Sequence, residues 1–181
     1  MVGKTFSSFS LSPNHYTFIS LFFGFFTFYS LVKKNLLLAI FFFLIASFLD
    51  FVDGALARFK GISTKKGAYF DTIADRYVEA FLLFGILFLP LPKILFPHYI
   101  WILLILFGSM MTTYAKAAAK EKELVLEELK GGLLSRSERL ILLLISLILG
   151  IFSYYWMVYL LILIAILTNF TALQRIYSAW K

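Results

Sequence analysis

Hydrophobic residues run along this chain in six long blocks, separated by short breaks that carry most of the charges, prolines and glycines. The blocks cover residues 15–32, 36–59, 68–89, 99–119, 137–152 and 154–177. Each approaches the roughly 20 mostly apolar residues that a helix needs to cross a bilayer, the fifth being the shortest. The pattern predicts an all-α polytopic membrane protein with six transmembrane helices, in a single domain over residues 1–181. Pro90, Pro92 and Pro97 close the third block, and Gly131-Gly132 marks a turn before the fifth. Ser12-Pro13-Asn14 starts the first helix. The juxtamembrane segment 1–13 is expected to hold a short interfacial helix in KTFSSF, or to be a disordered tail.

Composition supports the membrane assignment. The chain is 61% hydrophobic and 15% charged, with 22 Phe, whereas a soluble domain is about half apolar and a quarter charged. The absence of Cys excludes a disulfide framework, a thiolate nucleophile and a cysteine metal site. The opening residues are too polar for a signal-peptide core, so the first block is expected to stay as a helix. With six spans both termini share one side, and that side collects Lys4, Arg58, Lys60, Lys65, Lys66, Lys116, Lys120, Lys122, Lys130, Arg136, Arg139, Arg175 and Lys181. Only Lys33, Lys34 and Lys93 fall opposite, which predicts cytoplasmic termini. Trp101, Tyr154, Tyr155, Trp156 and Trp180 near span ends fit an interfacial aromatic belt. No basic face with stacking aromatics lies outside the apolar blocks, so no nucleic-acid partner is expected.

Four carboxylates interrupt the pattern where spans should exclude them: Asp50, Asp53, Asp71 and Asp75. A carboxylate at the centre of a membrane helix costs at least about 2.5 kcal/mol, which makes a functional site the first explanation. Asp50 and Asp53 are three apart and Asp71 and Asp75 four apart, so each pair projects from one helix face. Gly54 and Ala57 extend the first face and Gly67 the second. Such small residues predict a close approach of the second and third helices, gathering the acids around one centre. Carboxylates so gathered call for a cation, and oxygen-only ligands select magnesium, manganese or calcium over zinc. Arg58, one turn beyond Gly54, and Lys60, Lys65 and Lys66 would complete a receptor for a pyrophosphate. The chemistry these parts suit is transfer of a substituted phosphoryl group, with Asp75 as general base on the attacking hydroxyl.

The pattern Asp50-x2-Asp53-Gly54-x2-Ala57-Arg58-x8-Gly67-x3-Asp71-x3-Asp75 resembles, at every fixed position, the signature of the CDP-alcohol phosphotransferases. The six-helix plan and the Ser-Pro-Asn start are similar to that family as well. The resemblance implies a homodimeric six-helix membrane enzyme that joins a CDP-linked alcohol to a second alcohol and releases CMP. It implies two divalent ions, Mg2+ or Mn2+, on Asp50, Asp53, Asp71 and Asp75, with Asp75 as the base. It further implies a CDP site lined by Asp53, Gly54, Ala57, Arg58, Gly67 and Asp71.

Lys116, Arg136, Arg139 and Arg175 suit an acceptor that is itself phosphorylated. Their segments TYAKAAAK, SRSERL and TALQRIY resemble the branch that makes phosphatidylinositol phosphate, or its archaeal counterpart, from inositol 1-phosphate. That likeness implies a CDP-diacylglycerol or CDP-archaeol donor, with those four cations binding the acceptor's phosphate. Lys116 stands where this branch usually carries Arg, and Lys120 where it often has Glu. Glycerol 3-phosphate, or a CDP-inositol donor making di-inositol phosphate, therefore stays open; Asp75-Arg76-Tyr77 resembles the latter enzymes. A divalent-cation transporter is the competing class, but transporter acids tend to lie at the midplane between inverted repeats, and no repeat is evident here. Simpler roles are expected elsewhere. Glu121, Glu123, Glu127 and Glu128 read as a solvated helical extension beside Lys120, Lys122 and Lys130. His15 and His98 read as interface positions, Glu79 as support for Asp75 or a bond to a neighbouring helix, and Phe41 to Phe43 as lipid-facing or core.

Overall fold

The computed structural model describes residues 12–61, 64–125 and 131–181, the side chains of Arg58 and Lys60 excepted. These residues form six helices: α1 Pro13–Val32, α2 Leu36–Lys60, α3 Lys65–Ile86, α4 His98–Glu121, α5 Arg136–Phe152 and α6 Tyr154–Trp180. All six predicted helices are present, and capping chemistry accounts for the shifts in their ends. The Ser12 N–H donates to His15 Nδ1 at 3.2 Å, and Pro13 takes the first helical position of α1, where its missing N–H costs nothing. Thr64 accepts from the Gly67 N–H at 3.0 Å, so α3 starts before its apolar block and carries Lys65 and Lys66 in its first turn. A Ser135–Glu138 capping box starts α5.

Among the described residues, four helices are long and apolar enough to cross a membrane: α1, α2 as far as Ala57, α4 and α6. In α3 the charged side chains dilute the apolar run, and α5 has only 17 residues. Of the expected acidic extension, Glu121 closes α4, exposed and paired with Lys122 at 3.1 Å. Lys122 caps the helix, and Glu123 turns the chain with φ +55° instead of continuing it. KTFSSF, Lys4, Glu127, Glu128 and Lys130 lie outside the described residues.

The chain divides between Leu89 and Pro90 into two compact units. In the first, α1 packs along both α2 and α3, which scarcely meet each other. The predicted close approach of the second and third helices is thus mediated by the first. The cause is a stripe of small residues on α1: Thr17, Ser20, Gly24, Thr27 and Ser30 are buried, whereas Phe18, Phe22 and Phe25 point outward. Hydroxyls of the stripe return to their own helix, Ser20 to the Thr17 carbonyl at 2.7 Å and Ser30 to the Phe26 carbonyl at 2.7 Å. Small inside and large outside suits packing in lipid, where close backbone contact replaces the hydrophobic drive. Contact is tightest at Gly85 of α3, where a Cβ would stand 2.6 Å from Leu31 Cδ1 and 2.8 Å from Leu31 Cβ. Gly85→Ala should therefore destabilise the protein by about 1–3 kcal/mol through overpacking, read as a lower Tm of the purified protein in detergent.

In the second unit, α6 packs against both α4 and α5. Asn169 of α6 lies against Gly108 of α4, and its Nδ2 donates to the carbonyls of Leu104 at 2.9 Å and Ala165 at 2.8 Å. Tyr155, Trp156 and Trp180 are exposed as an aromatic belt requires, but Trp101 is only 8% exposed. Its Nε1 donates to the Ile94 carbonyl at 3.1 Å, pinning the segment before α4. Ser153 alone separates α5 from α6, its backbone extended at φ −161°, ψ 128°.

Candidate active site

In the first unit, Asp50 of α2 and Asp71 and Asp75 of α3 each present a carboxylate oxygen, and these oxygens all lie within 4.8 Å of one another. The i,i+4 spacing puts Asp71 and Asp75 on one face of α3, and α1, packed against both helices, brings Asp50 to them. All three are half-buried. Three carboxylates so close repel unless a proton or a cation is shared among them, and an all-oxygen donor set fits a hard divalent ion.

Asp53 is placed differently. It is buried, and its Oδ2 accepts a hydrogen bond of 2.6 Å from Thr17 Oγ1 on α1. With Gly54, Ala57, Gly67 and Asp71 it lines a cleft of about 460 Å³, so Asp71 serves both the acidic trio and the cleft. Ser12, Pro13, Asn14 and Thr17 from the start of α1, with Thr64 and Ala68 of the α3 start, complete the lining. Of these residues, Ser12, Pro13 and Asn14 read in sequence as a helix start. Their second use arises because helix starts leave unpaired N–H groups and short polar side chains, which suit a phosphate-bearing ligand. At Gly67 a Cβ would stand 3.0 Å from Thr64 Oγ1 and 3.2 Å from Asn14 Oδ1, so any larger side chain would narrow the cleft.

Arg58 lies on α2 one turn beyond Gly54; its side chain, like that of Lys60, is outside the described residues. Lys65 and Lys66 are exposed. Glu79, almost fully buried, pairs with Arg76 of its own helix at 2.9 Å. It thus engages the residue next to Asp75.

The four cations proposed for the acceptor all lie in the second unit. Arg139 of α5 is 1% exposed, Arg136 is one turn before it, and its charge is felt at Arg175 of α6. Arg175 is already engaged: Nε donates to the Gly131 carbonyl at 3.2 Å and Nη1 to the Thr112 carbonyl of α4 at 2.9 Å. Lys116 sits one turn beyond Thr112. The turn that leads into α5 is fastened further by Leu133 N–H to Gln174 Oε1 at 2.9 Å and Leu134 N–H to Thr171 Oγ1 at 3.0 Å. Gly132, at φ +113°, lies where a Cβ would come 2.6 Å from Thr171 Cγ2. Arg175 therefore positions this turn in addition to carrying charge, a role the sequence does not disclose.

Residues 10–173 match the sequence model of the family described as CDP-alcohol phosphatidyltransferase. The chain belongs to this family. A CDP-alcohol phosphatidyltransferase is a membrane transferase of phospholipid synthesis that moves a substituted phosphoryl group from a CDP-linked alcohol to an acceptor alcohol, which sets the cation transporter aside. The archaetidylinositol phosphate synthase of Pyrococcus horikoshii is 33% identical over 189 aligned positions, spanning 99% of this chain and 89% of the relative. The bifunctional IPC transferase and DIPP synthase of Aquifex aeolicus is 32% identical over 179 positions, 94% of this chain and 39% of that longer protein. The fold is shared with the phosphatidylinositol phosphate synthase PgsA1 of Mycobacterium tuberculosis, solved with CDP-DAG bound: TM-score 0.84 at 24% identity, covering 99% of this chain and 92% of that one. The same enzyme solved with manganese and citrate matches with a TM-score of 0.84.

Proposed function

We propose that this CDP-alcohol phosphatidyltransferase transfers the lipid phosphoryl group of CDP-diacylglycerol or CDP-archaeol to inositol 1-phosphate, with release of CMP. The observation that carries the reading is the trio Asp50, Asp71 and Asp75 opening, through Asp71, into a cleft lined by Asp53, Gly54, Ala57 and Gly67. The trio together with Asp53 would hold two divalent ions, Mg2+ or Mn2+. When bound, such ions supply charge neutralisation on the pyrophosphate and on departing CMP. Gly54, Ala57 and Gly67 let the nucleotide approach the backbone, and Arg58 takes phosphate oxygens. Asp75 accepts the proton of the acceptor hydroxyl as that oxygen bonds to the lipid-bearing phosphorus; the P–O bond to CMP breaks, and CMP leaves with the bridging oxygen. Lys116, Arg136, Arg139 and Arg175 take the acceptor's own phosphate.

The relation to the Pyrococcus synthase supports inositol 1-phosphate as acceptor. The PgsA1 structures with CDP-DAG and with manganese support the donor and the ion. The charge distribution supports an active site and termini facing the cytoplasm, and the family supports a homodimer. A second reading, a CDP-inositol donor making di-inositol phosphate, is favoured by the bifunctional Aquifex relative and by Asp75-Arg76-Tyr77.

The test is CMP release by purified protein, with Mg2+ or with EDTA, from CDP-diacylglycerol, CDP-archaeol or CDP-inositol. Inositol 1-phosphate, inositol and glycerol 3-phosphate are offered in turn. Mg2+-dependent release from a CDP-lipid with inositol 1-phosphate alone is the expected result. Equal rates with inositol and inositol 1-phosphate would sink the phosphate pocket, and turnover confined to CDP-inositol would establish the second reading.

A further inference from the structure

We infer that Thr17 is a positioning residue for the metal site, fixing the Asp53 carboxylate by a hydrogen bond from α1; this rests on the reading of Asp53 as a metal ligand. Along the buried stripe of α1, Ser20, Thr27 and Ser30 turn their hydroxyls back to carbonyls of their own helix at 2.7, 3.0 and 2.7 Å. Thr17 departs from this habit. Its own-helix partner, the Pro13 carbonyl, is 3.3 Å away, whereas Asp53 Oδ2 on α2 is at 2.6 Å. A hydroxyl has one proton to give, and a short O–H···O⁻ bond of this length is the charge-assisted, stronger choice.

Both partners border the cleft but are almost wholly covered by protein. Thr17 and Asp53 are each 3% exposed. The residue before Thr17, Tyr16, packs against Val52 and Leu56, the apolar positions either side of Asp53 on α2. The backbone that carries the hydroxyl is thus docked around the carboxylate it serves. Asp53 also feels the negative charges of Asp71 and Asp50. Without a donor holding it, the carboxylate would relax away from those charges whenever no cation neutralised them. Thr17 thereby keeps a ligand in place before the ion arrives, the service that outer-shell hydrogen bonds give to ligating carboxylates.

The test is Mn2+ binding to the purified full-length protein without substrates, following free Mn2+ by its EPR signal. Thr17→Val keeps the shape and removes the donor, and is expected to weaken binding about 10–100-fold. Thr17→Ser, which keeps the donor, should bind like the parent, and Thr17→Ala serves as a second loss-of-donor variant should valine not fold. Asp53→Asn should weaken binding too, and adding Thr17→Val to Asp53→Ala should cost nothing more, since alanine has already removed the oxygen that Thr17 serves. Transfer by Thr17→Val should recover at saturating Mn2+, which a packing defect would not permit. Parental Mn2+ affinity in Thr17→Val and Thr17→Ala, with Asp53→Asn impaired, would overturn the inference alone. Parental affinity in Asp53→Asn would instead remove Asp53 from the ligand set and the inference with it.

Discussion

Asp75→Asn is expected to lower kcat by about 10²–10⁴-fold, the range for loss of a general base, at every Mg2+ or Mn2+ concentration. The amide has the shape of the carboxyl but cannot accept the hydroxyl proton. Asp71→Asn and Asp50→Asn should behave differently, because a weakened ion site is partly refilled by raising the metal. Recovery of either variant at high Mn2+, with none for Asp75→Asn, separates the proton-accepting role of Asp75 from the ligand role it shares with Asp50 and Asp71; full turnover in Asp75→Asn would refute its role. The same substitution should not harm the metal-free fold. Three carboxylate oxygens within 4.8 Å of one another repel, so removing one charge should leave the Tm of metal-free protein unchanged or higher, as happens where a site is kept at the expense of stability.

Arg175→Ala is the second large effect, an increase of about 10–100-fold in KM for inositol 1-phosphate, because a hydrogen bond to a charged group is worth roughly 1.5–3 kcal/mol and each 1.4 kcal/mol is tenfold. Lysine should not rescue it. Arg175 bridges two carbonyls, Gly131 at 3.2 Å and Thr112 at 2.9 Å, from adjacent nitrogens of one planar group, and an ammonium cannot span both. Gln174→Leu separates the positioning role from the charge. It releases Leu133 N–H from its side-chain acceptor while leaving every cation present, so its effect on KM should be much the smaller. A neutral outcome in Arg175→Ala would remove this residue from the acceptor's phosphate.

The two kinds of information in the sequence had different reach. Helical spans and the eight-position acidic motif are local or periodic, and the structure places them accordingly: Asp71 and Asp75 lie together because they are one turn apart on one helix. What could not be read is contact across long separations. Thr17 and Asp53 are 36 residues apart, and a threonine in a helix start advertises only capping. Gly54, Ala57 and Gly67 suggested a direct α2–α3 approach, yet the small residues that build the packing are Thr17, Ser20 and Gly24 of α1, whose polarity hid them among the Phe. Arg175 was legible as a cation in an apolar setting, but its carbonyl partners lie 44 and 63 residues away. Trp101 shows the same limit: it sits where a belt residue should, and serves instead as a hydrogen-bond donor to its own loop.

Helix α5 is held to α6 at both ends, by the single extended residue Ser153 at one and by the Thr171, Gln174 and Arg175 bonds to the Gly131–Leu134 turn at the other. Arg136 and Arg139 therefore ride on an element with little freedom left to lose. Ordering of loops and side chains is a main cost of association, so an acceptor phosphate held there, as proposed, would meet a low entropic barrier. Arg139 is already covered by protein, so the affinity would be governed chiefly by stripping water from the phosphate itself.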